Sequence, residues 1–150
     1  MPNGFIHTRA TLTLAVAGGV IAYRLGYPVA DVAALTGGTL AGLLLTPDLD
    51  VNKGCVSNHL VRRHAGLPLS ILWSAYWKPY SQIIPHRSRL SHLPVLGTFI
   101  RLAYLCILPA IIMLFAGGGI IWPDLPAWSS WALGGLVLAD VLHYVMDRLF

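Results

Sequence analysis

Apolar and polar positions divide the chain into four long apolar stretches and one long polar segment. The first stretch runs from Ala10 to about Tyr27 and is interrupted by Arg24. The second covers Val32 to Thr46, and the third, Leu102 to Trp122, carries no charge. The fourth extends from about Pro126 to Val145, with Asp140 and His143 near its end. Runs of this kind predict helices that cross a bilayer, because only helices and closed barrels satisfy their backbone hydrogen bonds in lipid. The first and second are short. Only 14 residues separate Arg9 from Arg24, and as a helix they span roughly 21 Å of a ~30 Å hydrocarbon core. Arg24 must then snorkel to the interface or be sheltered by neighbouring helices. No small-residue cleavage site follows the first stretch before Tyr23, so it reads as an uncleaved helix rather than a signal peptide.

The long segment from Pro47 to Arg101 holds Lys53, Arg62, Arg63, Lys78, Arg87, Arg89 and Arg101 against Asp48 and Asp50. The positive-inside rule puts it in the cytoplasm. Four spans then place both termini on the cytoplasmic side of the cell membrane, in a multi-pass protein. Within this loop, Leu67 to Tyr80 spaces Trp73, Tyr76, Trp77 and Tyr80 at helical intervals, which predicts an interfacial helix. His59, Arg62, Arg63 and His64 form a basic patch suited to anionic headgroups. The expected fold is therefore all-α, a single domain over residues 1–150: a membrane bundle of about four transmembrane helices, plus an interfacial helix in a long cytoplasmic loop. The glycine-rich second stretch contains Gly38 and Gly42 as a GxxxG pair, which reads more readily as packing inside the bundle than as a dimer face. A homo-oligomer is left open.

Composition agrees. The 150 residues are 56% hydrophobic and 11% charged, with a mean hydropathy of +0.68, whereas soluble domains carry about 25% charged residues. A soluble globular domain, a disordered chain and a coiled coil are thereby disfavoured. Two cysteines, Cys55 and Cys106, are too few for a disulfide scaffold and lack the spacing of a thiolate zinc site. The net charge of +4 sits at the flanks of apolar stretches and in one loop, which suits topology rather than nucleic-acid binding.

Ionisable groups near membrane depth are costly and point to function. Four clusters qualify: His7 before the first helix, Asp48 and Asp50 in TPDLD, His86 and His92 in PHRSRLSH, and Asp140, His143 and Asp147 in ADVLHYVMD. Under the orientation set by the basic loop, all four lie at the cytoplasmic ends of their helices and meet in one layer. Residues 140, 143 and 147 share a helix face. Imidazole and carboxylate donors without thiolate suit zinc, manganese or iron, with magnesium open to a carboxylate-rich set. The seven candidates His7, Asp48, Asp50, His86, His92, His143 and Asp147 exceed the needs of one ion and lean toward two ions sharing a carboxylate. Such a pair can activate water and clamp both oxygens of an in-line displacement. Asp140 reads best as a group orienting a ligating histidine. Arg87 and Arg89 lie beside the histidines, where a guanidinium can hold a phosphate or the charge developing on it.

The N-terminal His, the PDxD motif, the HR-x3-SH motif and the terminal H-x3-D resemble those of the bacterial predicted membrane-bound metal-dependent hydrolases. PHRSRLSH followed by Gly97, Thr98, Arg101 and Tyr104 is similar to the branch of metal-binding integral membrane proteins. The resemblance covers nearly the whole chain. It implies a small helical membrane bundle with a metal site formed by His7, Asp48, Asp50, His86, His92, His143 and Asp147, and a hydrolytic activity. Where that family often has Ser-His in the last motif this chain has Leu142-His143, and where it often has Thr-His this chain has Ser91-His92. Neither change removes a ligand.

The leading expectation is a metal-dependent hydrolase at the cytoplasmic membrane face. Asp50 would help activate water and Arg87 would steady the anionic group of a phosphoester or related ester. Its substrate would be an anionic lipid or a lipid-linked phosphate, since the site sits at headgroup depth. A non-catalytic scaffold stapled by a structural metal is the alternative. Ion transport is weaker, because the charges cluster at one end instead of marking a path across.

Overall fold

A computed structural model describes residues 4–51, 54–86, 88–117 and 124–149. Every regular element among them is helical. α1 spans Gly4–Arg24, α2 Val29–Ala41, α3 Val56–Ile83, α4 Arg89–His92, α5 Pro94–Phe115 and α6 Ser129–Leu149, with a 3-10 turn at Pro47–Asp50.

α1, α5 and α6 are each long and apolar enough to cross a membrane. The second stretch is not: α2 has 13 residues, which at 1.5 Å per residue is roughly 20 Å. The expected four spans are thus three long helices and one short one. The register of the others also shifts. Pro94 occupies the first turn of α5, a position where its missing N–H costs nothing, so this helix starts eight residues before the expected Leu102. The expected end at Trp122 lies outside the described residues. α1 begins at Gly4, so His7 stands at the end of its first turn rather than ahead of it. Val16, Val20 and Ile21 of α1 and Phe99, Ile112 and Leu114 of α5 are exposed.

The short α2 is clamped onto α6 by glycines. A Cβ on Gly38 would lie 1.9 Å from the Ala132 carbonyl oxygen, and one on Gly135 would lie 2.1 Å from that of Leu35. The GxxxG pair is therefore used within the bundle, with Gly42 against Ala139. Gly38→Ala should destabilise the fold by about 1–3 kcal/mol through overpacking, read as a lower unfolding midpoint in a fixed detergent. A change of oligomeric state at constant stability would instead make this stripe a dimer face.

α3 differs most from expectation. Trp73 Nε1 donates to Ser57 Oγ at 2.9 Å, although sixteen residues of continuous helix would separate them by roughly 24 Å. The chain reverses at Gly66, whose φ of 85° lies in the left-handed region open to glycine. Pro68 then opens the second half of the hairpin. The aromatic row expected to anchor the loop at the interface turns inward. Trp77 and Tyr80 are fully buried with Leu49, Cys55 and Ile84, and Trp73, Tyr76 and Tyr104 pack around them. Tyr76 donates to the carbonyls of Tyr104 and Leu105, and Tyr104 Oη donates back to the Tyr76 carbonyl at 2.6 Å. This cluster fixes the 3-10 turn bearing Asp48 and Asp50 through Leu49, which is 0% exposed.

Candidate metal centre

Helix direction alternates along the chain, so the start of α1, the turn after α2, the residues before α5 and the end of α6 gather at one end of the bundle. The polar clusters meet there. His7 and His143 stack at 4.3 Å. Asp147 lies between them, one oxygen 3.3 Å from His7 Nε2 and the other 3.3 Å from His143 Nε2. His143 Nε2 is also 3.6 Å from Asp48 Oδ1, which lies 4.0 Å from His92 Nε2. His92 Nδ1 is 3.5 Å from Asp50 Oδ2, and Asp50 Oδ1 is 2.8 Å from His86 Nδ1. The seven side chains singled out in the sequence thus form one continuous chain of contacts.

They do not play equal parts. Among the described residues, two groups bring donor atoms within 4.8 Å of one another: His7, His143 and Asp147, and Asp48, His92 and His143. The residue common to both is His143, not a carboxylate. Asp50 and His86 stand outside these groups. The fully buried Asp50 carboxylate takes the Ser91 hydroxyl at 2.8 Å on one oxygen and His86 on the other. Arg87, the expected anion-steadying group, lies outside the described residues.

The hydrogen bonds around Ser91 define what the centre can hold. Ser91 donates its one hydroxyl proton to Asp50, and its oxygen sits 2.8 Å from His92 Nδ1. That nitrogen must then carry the proton, and the lone pair is left on His92 Nε2. Among the described residues, buried Nε2 has no hydrogen-bond partner, and neither has Nδ1 of His7. Burial holds the His92 imidazole below its ordinary pKa, despite the pull of Asp50. Burial also opposes ionisation of Asp48, but the hydrogen bond and charge of His143, with His92, outweigh it and keep the carboxyl below its usual range. The His92 Nε2 lone pair lies 4.0 Å from Asp48 Oδ1, and imidazole nitrogen beside carboxylate oxygen is a donor pair that divalent ions take. A cavity of about 20 Å³, lined in part by His7, Asp48, Asp140 and His143, has room for roughly one water-sized particle.

Behind the centre lies a layer that sequence reasoning largely missed. Arg101, read as the basic end of the loop, is 1% exposed and pairs with Asp140, equally buried. Thr98 donates to the same carboxylate. Arg101 also donates to the Ser91 carbonyl at 2.9 Å. Gly97 permits this approach, since a Cβ there would meet that carbonyl oxygen at 2.3 Å. Asp140 is thus tied through Arg101 to the carbonyl of Ser91, the residue beside His92. The signal for Arg101 was present: an acid inside an apolar helix demands a buried partner.

The other side of the centre is open. Ser88, Arg89, His92, Leu93, Tyr144, Asp147 and Arg148 line a pocket of about 460 Å³, within the range of small-molecule sites. It includes one side chain from each of the two donor groups.

The fold and site define a small helical bundle with three potential membrane-crossing helices and a histidine–aspartate centre at one end. The chain belongs to the family described as "uncharacterized metal-binding protein (DUF2227)", whose model matches residues 2–150. Metal binding is the property that description carries, and the donor groups above fit it. No curated protein and no solved structure matches the chain.

Proposed function

We propose that this protein is a membrane-embedded, metal-dependent hydrolase acting on a phosphoester or related ester at the cytoplasmic face. The observation that carries the reading is the pocket: His92 and Asp147, one from each donor group, form part of its wall. Catalytic centres keep a coordination position open, whereas structural sites are closed. When bound, one or two divalent ions such as zinc, manganese or iron would activate water and polarise the ester. His7, His143 and Asp147 would hold an ion on one side, and Asp48 and His92 on the other, with His143 serving either. Asp50 is better placed to orient His86 and His92 through their Nδ1 atoms than to ligate, the arrangement by which carboxylates fix metal-binding imidazoles.

Membrane placement is supported by the three long apolar helices and their exposed aliphatic side chains. Arg89 and Arg148 lie at the same end as the centre, which favours a cytoplasmic site and cytoplasmic termini by the positive-inside rule.

Elemental mass spectrometry on protein purified without an affinity tag or chelator should find one or two equivalents of metal. The loaded protein should then release phosphate or alcohol from simple aryl phosphate esters, and lose that activity to a chelator. Protein that takes up no stoichiometric metal, even after zinc, manganese and iron are added back, would sink the reading. The alternative, a structural ion stapling helix ends, draws on the narrow cavity lined by His7, Asp48 and His143. It predicts that a chelator sharply lowers the unfolding midpoint and that no ester is hydrolysed.

A further inference from the structure

The pocket beside the centre carries a charge pattern that the ligands do not explain. Its basic side chains come from two separate elements: Arg89 opens α4, and Arg148 lies in the last turn of α6. Arg148 is held by Tyr144 one turn earlier, with its guanidinium carbon 5.1 Å from the ring centroid. The one acid in the lining, Asp147, is turned toward His7 and His143 at 3.3 Å. Beyond the arginines the lining includes Leu93, Tyr144 and Ser88, whose Oγ caps α4 by accepting from the Ser91 N–H. A lining with two arginines beside serine, leucine and tyrosine suits an anion attached to an organic remainder.

We propose that this pocket is the substrate subsite, and that Arg89 and Arg148 bind the anionic oxygens of a phosphate ester beside His92 and Asp147. The proposal rests on the hydrolase reading for what happens to the ester, but the binding step stands without it. Guanidinium groups recognise phosphate through paired, charge-assisted hydrogen bonds. The volume of about 460 Å³ leaves space for more than the phosphate itself. Glycerol phosphate and the headgroup of phosphatidate share this chemistry, one from solution and the other from the bilayer.

The test is binding, not turnover. Metal-loaded protein in nanodiscs of zwitterionic lipid is titrated calorimetrically with glycerol phosphate. In parallel, phosphatidate is incorporated into the nanodisc and followed by phosphorus NMR. Arg89→Gln and Arg148→Gln should each weaken binding about tenfold or more, with metal content and unfolding midpoint unchanged. Arg24→Gln, at the opposite end of α1 from His7, should leave it alone. Binding of glycerol phosphate supports a soluble ester, and a response to phosphatidate alone supports a headgroup. Binding that is equally tight in the Arg89→Gln/Arg148→Gln double variant, or no binding of either probe, overturns the subsite. The two readings separate cleanly. Hydrolysis that ignores both arginines removes the subsite and keeps the hydrolase, while arginine-dependent binding without hydrolysis does the reverse.

Discussion

Arg101→Met should destabilise the protein by about 3–5 kcal/mol, the usual cost of removing one partner from a buried ion pair. Asp140 is 1% exposed and its carboxylate would keep only the Thr98 hydroxyl on the paired oxygen. Its other oxygen already has no hydrogen-bond partner among the described residues. The variant also releases the Ser91 carbonyl, so the fault should spread to the centre as weaker metal retention. Chemical unfolding in a fixed detergent, followed by circular dichroism, measures the first effect. The double variant Arg101→Met/Asp140→Leu should recover much of the loss, because both charges leave the interior together. An Arg101→Met midpoint equal to that of the parent chain would mean that the pair is solvated and that this layer does not brace the site.

His143→Ala should abolish stoichiometric metal, whereas His86→Ala should leave most of it in place. The contrast follows from the geometry. His143 belongs to both donor groups, while His86 touches Asp50 and belongs to neither. Ser91→Ala falls between them. It removes the hydroxyl that fixes the His92 tautomer, and losses of this kind typically cost 10–100-fold in metal affinity. Equilibrium dialysis against a buffered metal, with content read by elemental mass spectrometry, ranks the three. His86→Ala losing as much metal as His143→Ala would move the main site toward Asp50 and His86. His143→Ala retaining the full complement would refute the proposed centre.

The gathering of His7, Asp48, Asp50, His86, His92, His143 and Asp147 was legible because it needs only helices that alternate in direction. A polar residue at a helix end stays at that end whatever the details of packing. Boundaries were less legible, and Arg101 shows why. Hydropathy counts it as a loop charge, yet Asp140 from α6 pairs with it in the interior, and the apolar helix runs on through it. The α3 hairpin was hidden for a related reason. Helical spacing of Trp73, Tyr76, Trp77 and Tyr80 identifies a face but not what covers it. The cover is the Leu49 turn and the Tyr104 ring, which come from distant parts of the chain. Gly66 was a weak cue, since a lone glycine in a helical pattern is often tolerated.

The centre draws on both ends of the chain, with His7 in α1 and Asp147 in α6. During synthesis, at roughly 5–20 residues per second, His7 is made first and must wait on the order of ten to thirty seconds for Asp147 to appear. Until α6 is made, both donor groups lack His143, the residue they share, and the first also lacks Asp147. Neither donor group is complete before the last helix has been added.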